Sequence, residues 1–223
     1  MTASDTSLRR VARNVLLSKG RMEALTDGIF AISMTLLVLE LKVPDMPKSI
    51  SSHELLHKLG QEIPAFFSFF VSFIYCGLLW TLHHLAVHFF RHIQLALAWL
   101  NLLFLMSIAL LPFSCALLGH FLRNVAAEEI YFGNMLAAAC LLALQWQVAK
   151  RKNLISDDEP QASRDIGQRL LFFPPALIAA MVVTPFKPMA GFYAMAVVLA
   201  SLRLWQRTML RRIKSPAPPP LSS

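Results

Sequence analysis

Charge is what this sequence has little of. Asp, Glu, Lys and Arg make up 15% of its 223 residues, where an ordinary soluble domain carries roughly 25%. Apolar residues fill the deficit, at 56% of the chain, and they fall in long blocks. That arrangement excludes a solvated, disordered chain and points to a membrane protein rather than to one large soluble core. Cysteine is scarce too. Cys76, Cys115 and Cys140 each lie inside an apolar block. No spacing among them makes a disulfide framework or a zinc knuckle, so they read as small buried hydrophobes. Glycine-rich phosphate loops, nucleophile elbows and zincin motifs are missing. The expectation is therefore a protein that is not an enzyme and needs no cofactor. Acids are outnumbered, giving a net charge of +8. The cations sit between and beyond the apolar blocks, where a bilayer explains them better than nucleic acid does. The first twenty residues hold Arg9, Arg10, Arg13 and Lys19 without the apolar core of a cleavable signal.

A helix that crosses a bilayer needs about 20 mostly apolar residues. Six blocks meet that length, at about 23–43, 63–86, 95–119, 130–149, 168–185 and 189–207. None alternates as a β-barrel strand would. The fold class expected is an all-α membrane protein with six transmembrane helices. Pro174 and Pro175 interrupt the fifth block, and "TPFKP" leaves a tight turn before the sixth. Basic residues cluster before the first block, in the 150–169 connection (Lys150, Arg151, Lys152, Arg164, Arg169) and after Arg203. This bias places both termini in the cytoplasm. Residues 1–22 are then a cytoplasmic or interfacial amino terminus, 23–207 a single six-helix membrane domain, and 208–223 a basic, then proline-rich tail. Proline fixes φ and lacks a donor, so that tail reads as extended.

Polar residues inside the blocks are costly and face protein or water rather than lipid. Arg21 and Asp27 stand at the mouth of the first block, roughly 120° apart on an ideal helix, so each must look for its partner elsewhere. The second block offers Trp80 and His84, four residues apart and on one face. Asn101 lies one turn inside the third block and also needs partners. His84 and His88 have chelating spacing, but no carboxylate or cysteine nearby in sequence completes a tetrahedral site, so no metal is expected. Further along the first block Ile32, Leu36 and Leu39 form one stripe, with Thr35 beside it. Such a stripe fits lipid contact or helix packing, and it fits a pore only if this helix faces a central axis.

The stretch "RMEALTDGIFAISMTLLVLEL" resembles the first-helix signature of the transmembrane protein 175 family of potassium channels. Arg21 and Asp27 match that signature. Thr26 keeps the hydroxyl of its serine, and Leu25 replaces its phenylalanine. "LWTLHHLAVHFF" and "LNLLFLMSIALLPF" resemble the second and third helices of the family, so the likeness covers about residues 21–119. It implies a homotetramer whose first helices surround an ion path. Ile32, Leu36 and Leu39 would then be constricting layers and Thr35 would lend hydroxyls near the narrowest ring. Arg21, Thr26, Asp27, Trp80, His84 and Asn101 would form the polar network that sets the first helix against its neighbours. The function implied is a potassium-permeable cation channel in a bacterial inner membrane. Its partners would be monovalent cations, lipid and further copies of itself. A "TVGYG"-like loop is missing, so any selectivity rests on side chains. The alternative is a secondary or proton-coupled transporter, to which the paired prolines point through the broken helices such carriers use.

Overall fold

The computed structural model describes residues 18–193, apart from 46, 48 and 157, together with 197 and 200. These residues form seven helices: α1 Lys19–Val38, α2 Ser52–Gln61, α3 Ile63–His88, α4 Leu95–Ala109, α5 Leu111–His120, α6 Val125–Arg151 and α7 Pro160–Val183. Taking α4 and α5 as one stretch, Leu95–His120, four helical segments are long and apolar enough to cross a membrane. Helix α1 is long enough but carries Arg21, Glu23 and Asp27, and it packs within the same bundle. Of the sixth block, residues 189–193, 197 and 200 are described; Met189 lies in a turn and the others are helical. The remainder of that block, residues 1–17 and the 208–223 tail lie outside the described residues.

Local chemistry explains where the helices differ from the sequence expectation. Helix α1 starts at Lys19, before the expected boundary at 23, so Arg21 belongs to its first turn. It stops at Val38 rather than at residue 43. Glu40 and Lys42 end the apolar run, and Pro44 forces the residue before it out of helical geometry. The third block is broken at Leu110. Pro112 lacks the N–H that would reach back to Ile108, so the helix restarts as α5. In the fifth block the outcome is the reverse: α7 runs unbroken through Pro174 and Pro175. It also begins eight residues earlier than expected.

Helix α2 is not foreseen by hydropathy. Ser51 caps it in a capping box, accepting from the Glu54 amide while Glu54 accepts from the Ser51 amide. That hydroxyl and amide together hold the Glu54 carboxyl below its ordinary value. Leu55, Leu56, Leu59 and Ile63 are exposed along this segment.

Helix α6 is the centre of the bundle and packs against α4, α5 and α7. Its buried face carries Ala138, Ala139, Ala143 and Ala149 among larger residues, and these small side chains let neighbouring backbones come close. Polar pins cross between helices. Tyr75 donates to the Met135 carbonyl at 2.7 Å, and the Ser72 and Tyr131 hydroxyls pair at 2.9 Å. Two close approaches require glycine. A Cβ on Gly119 would lie 2.8 Å from Ser68 Oγ, and one on Gly167 would lie 2.4 Å from Trp146 Nε1.

One end of the bundle gathers the basic segments. The Lys19 ammonium donates to the His88 carbonyl at 2.9 Å and to the Phe90 carbonyl at 3.4 Å, at the C-terminus of α3. A cation there meets both unpaired carbonyls and the negative end of the helix dipole. Phe90 in turn bridges Ile155 in an antiparallel pair, with Arg91 N–H donating to the Leu154 carbonyl at 2.8 Å. The start of α1, the 89–94 connection and the 152–159 connection therefore meet at one end.

Candidate functional site

Helix α1 has two unlike sides. Met22, Thr26, Phe30, Ser33 and Leu37 recur every three to four residues and are buried against α3, α4 and α5. On the opposite side Ile32, Leu36 and Leu39 are 57%, 41% and 67% exposed. Thr35 is exposed beside them and donates its hydroxyl to the Ile32 carbonyl at 2.8 Å. That bond occupies the hydroxyl proton and leaves oxygen lone pairs facing outward.

The polar residues near the start of α1 separate into two groups. The buried group is Thr26, Asn101 and His83, each about 1–2% exposed. Asn101 Nδ2 donates to Thr26 Oγ1 at 3.2 Å, and Asn101 Oδ1 lies 2.8 Å from His83 Nε2. With the amide nitrogen committed to Thr26, the amide oxygen accepts, so His83 Nε2 carries the proton. His83 also stacks on Phe104 with rings 5.2 Å apart and 6° from parallel, and Phe104 meets Phe30 at 5.8 Å. One amide thus joins α1, α3 and α4. The second group is more open. Trp80 Nε1 donates to Asp27 Oδ1 at 2.8 Å, and the Trp80 ring stacks on His84 at 5.8 Å.

The residues expected to form one network are therefore partly together. Thr26 and Asn101 meet, and so do Asp27, Trp80 and His84. Arg21 is exposed, and no described side chain pairs with it. His84 does not reach Asn101, because it points away from the core while its neighbour His83 points in. The signal for His83 is present in the sequence: it continues the buried run Leu79, Leu82, Ala86, Val87, from which Trp80 and His84 are offset. Among the described residues no group of three or more His, Cys, Asp or Glu could hold a metal.

The arrangement around Asn101 falls inside a region of recognisable ancestry. The family model for the endosomal/lysosomal potassium channel TMEM175 matches residues 21–112. A potassium channel of Streptomyces collinus is 36% identical over 150 residues, which is 64% of this chain and 71% of that protein. The chain belongs to the TMEM175 family. The lysosomal potassium-selective channel TMEM175 homologue of Chamaesiphon minutus has a crystal structure that superposes with a TM-score of 0.69. The two are 27% identical, over 85% of this chain and 97% of that one. Mouse TMEM175, an endosomal/lysosomal proton channel, is 41% identical over 99 residues, 42% of this chain but 19% of its own length. The TMEM175 family consists of ion channels, not enzymes, and the chain is a multi-pass membrane protein with a TMEM175 fold. The TMEM175 match spans α1 through Pro112 and so contains both polar groups and the exposed stripe; α6 and α7 lie beyond it.

Proposed function

We propose that the protein is a potassium-permeable cation channel of the leak type. It assembles as a homotetramer whose α1 helices surround the ion path. The observation that carries this reading is the division of α1 into a face pinned to its own subunit and an apolar face that this subunit leaves uncovered. Four copies of Ile32, Leu36 and Leu39 would make successive hydrophobic constrictions. Such rings gate by dewetting and offer no ligand to replace hydration, so they favour the cation whose water is shed more easily. Potassium is that cation relative to sodium. The Thr35 hydroxyls stand next to the first ring. Relatives named as potassium channels support the choice of ion. The clustering of basic segments at one end of the bundle supports six spans with both termini in the cytoplasm of a bacterial cell.

A carrier is less well supported. The paired prolines lie within a continuous helix and open no broken-helix site. The test is the reversal potential under bi-ionic K⁺/Na⁺ conditions. Ile32→Asn puts amide groups into the narrowest ring, so Na⁺ permeability is expected to rise relative to K⁺. An unchanged reversal potential in a well-expressed variant would remove α1 from the pore.

A further inference from the structure

A cavity of about 630 Å³ opens at the basic end, between the 89–94 connection, the last turns of α6 and the first turns of α7. That volume is within the range of small-molecule sites, roughly 300–1,000 Å³. Arg91, Lys150 and Arg164 line it, and no carboxylate does among the described residues. The acids of the neighbouring connection, Asp158, Glu159 and Asp165, are not part of the lining. Each cation comes from a separately fixed element. Arg91 sits on the strand-like bridge to Leu154, Lys150 on the last turn of α6, and Arg164 near the start of α7. Asn153, which also lines the cavity, takes φ 52 to turn the chain sharply out of α6. Trp146, Ile155 and Leu171 are the apolar part of the lining, and Ser163 adds a hydroxyl.

We propose that this cavity binds a phosphate group, the chemistry shared by an anionic phospholipid headgroup and free phosphate. Cations held in a concave site with apolar walls focus positive potential on whatever enters. Arginine and lysine are the side chains that bind phosphate oxygens, arginine by two parallel bonds. The positive end of the α7 dipole and the negative end of the α6 dipole both border the cavity and offset each other, so the field comes from the side-chain cations. The exposed Leu171 in the lining offers apolar surface to a headgroup that brings hydrocarbon with it, which a bare ion would not use. The site lies away from the α1 stripe and does not depend on the pore reading.

The test uses the full-length protein, titrated in detergent with phosphatidylglycerol, phosphatidylcholine or inorganic phosphate and followed by native mass spectrometry and thermal melting. Phosphatidylglycerol is expected to bind more tightly than phosphatidylcholine. Removing one cation, by Lys150→Gln or Arg164→Gln, should weaken it about fivefold, and removing both about 25-fold. Lys150→Arg with Arg164→Lys should keep most of the affinity. Stabilisation by inorganic phosphate, lost in the same variants, would assign the site to free phosphate instead of lipid. Phosphatidylglycerol binding equal in wild type and the Gln variants, with no effect of inorganic phosphate, would overturn the proposal. If the double variant fails to fold, the two single variants carry the same comparison.

Discussion

Asn101→Leu is the most informative single change to the described structure. Leucine matches asparagine in the number and branching of its side-chain heavy atoms, so no cavity is made, and the triple variant below separates lost hydrogen bonding from the bulk of its methyl groups. The change leaves the Thr26 hydroxyl and the His83 Nε2–H without their observed partner. In soluble proteins each buried polar group so stranded costs about 1–3 kcal/mol. Within membranes, double-mutant cycles give less, about 0.6 kcal/mol on average and at most about 1.7, because the unfolded helix also finds partners. Two bonds then set the expected loss at about 1–3.5 kcal/mol. The decisive arm is the triple variant Thr26→Val, His83→Phe, Asn101→Leu. It removes donors and acceptors together, and its phenylalanine can keep the ring contact with Phe104. It should lie within about 1 kcal/mol of wild type, because no polar group is left stranded. The assay is reversible unfolding in mixed micelles, followed by circular dichroism. The reasoning fails if Asn101→Leu is neutral, or if the triple variant loses as much as the three single losses added together.

Three further outcomes are expected. Gly167→Leu would push a side chain into the Trp146 ring, where even a Cβ comes to 2.4 Å; overpacking of this kind costs about 1–3 kcal/mol and should lower the melting temperature. Trp80→Phe removes the donor to Asp27 at a partly exposed position, so folding should be nearly unchanged while current per assembled channel falls; unchanged current would make the contact an interfacial detail. Cysteine at Lys152 should resist an impermeant thiol reagent applied from outside while cysteine at His57 reacts, and labelling at 152 would refute the six-span orientation.

What the sequence made readable follows a physical pattern. Long apolar blocks exposed α3, α6 and the combined α4–α5 stretch, because a bilayer imposes length and composition directly. The break at Leu110 and the continuous α7 show the limit of proline as a signal. Pro112 ends one helix, while Pro174 and Pro175 do not end another, and only the neighbouring helices decide between those outcomes. Helix α2 was hidden from hydropathy because its mean polarity resembles a loop, although Ser51 and Glu54 spell a capping box. Thr26, Asp27, Trp80 and Asn101 were legible as polar atoms in an apolar setting. The partition between them was not. Thr26 and Asp27 are adjacent in sequence but 100° apart on the helix, so one turns into the bundle and the other along its side. The same rotation separates His83 from His84.

The two polar groups explain why α1 tolerates charge at its beginning and none in its middle. Thr26 is fastened to α4 through Asn101 and, by the same amide, to α3 through His83. Asp27 is fastened to α3 one face further round by Trp80. Lys19 adds a third attachment, to the carbonyls at the end of α3. All three lie in the first half of the helix, and beyond Asp27 contact with the subunit is made by Phe30, Ser33 and Leu37. From Thr26 to Leu36 is ten residues, about 15 Å along the axis. Over that lever a tilt of about 4° moves the far end by about 1 Å. In the proposed tetramer a shift of that size at four symmetric positions changes the width of an apolar ring by about 2 Å, close to the diameter of a bare cation. Directional hydrogen bonds at the near end and non-directional packing at the far end are therefore suited to different tasks. The first fix the angle of the helix, and in the proposed tetramer the second would let its apolar end shift without breaking a bond.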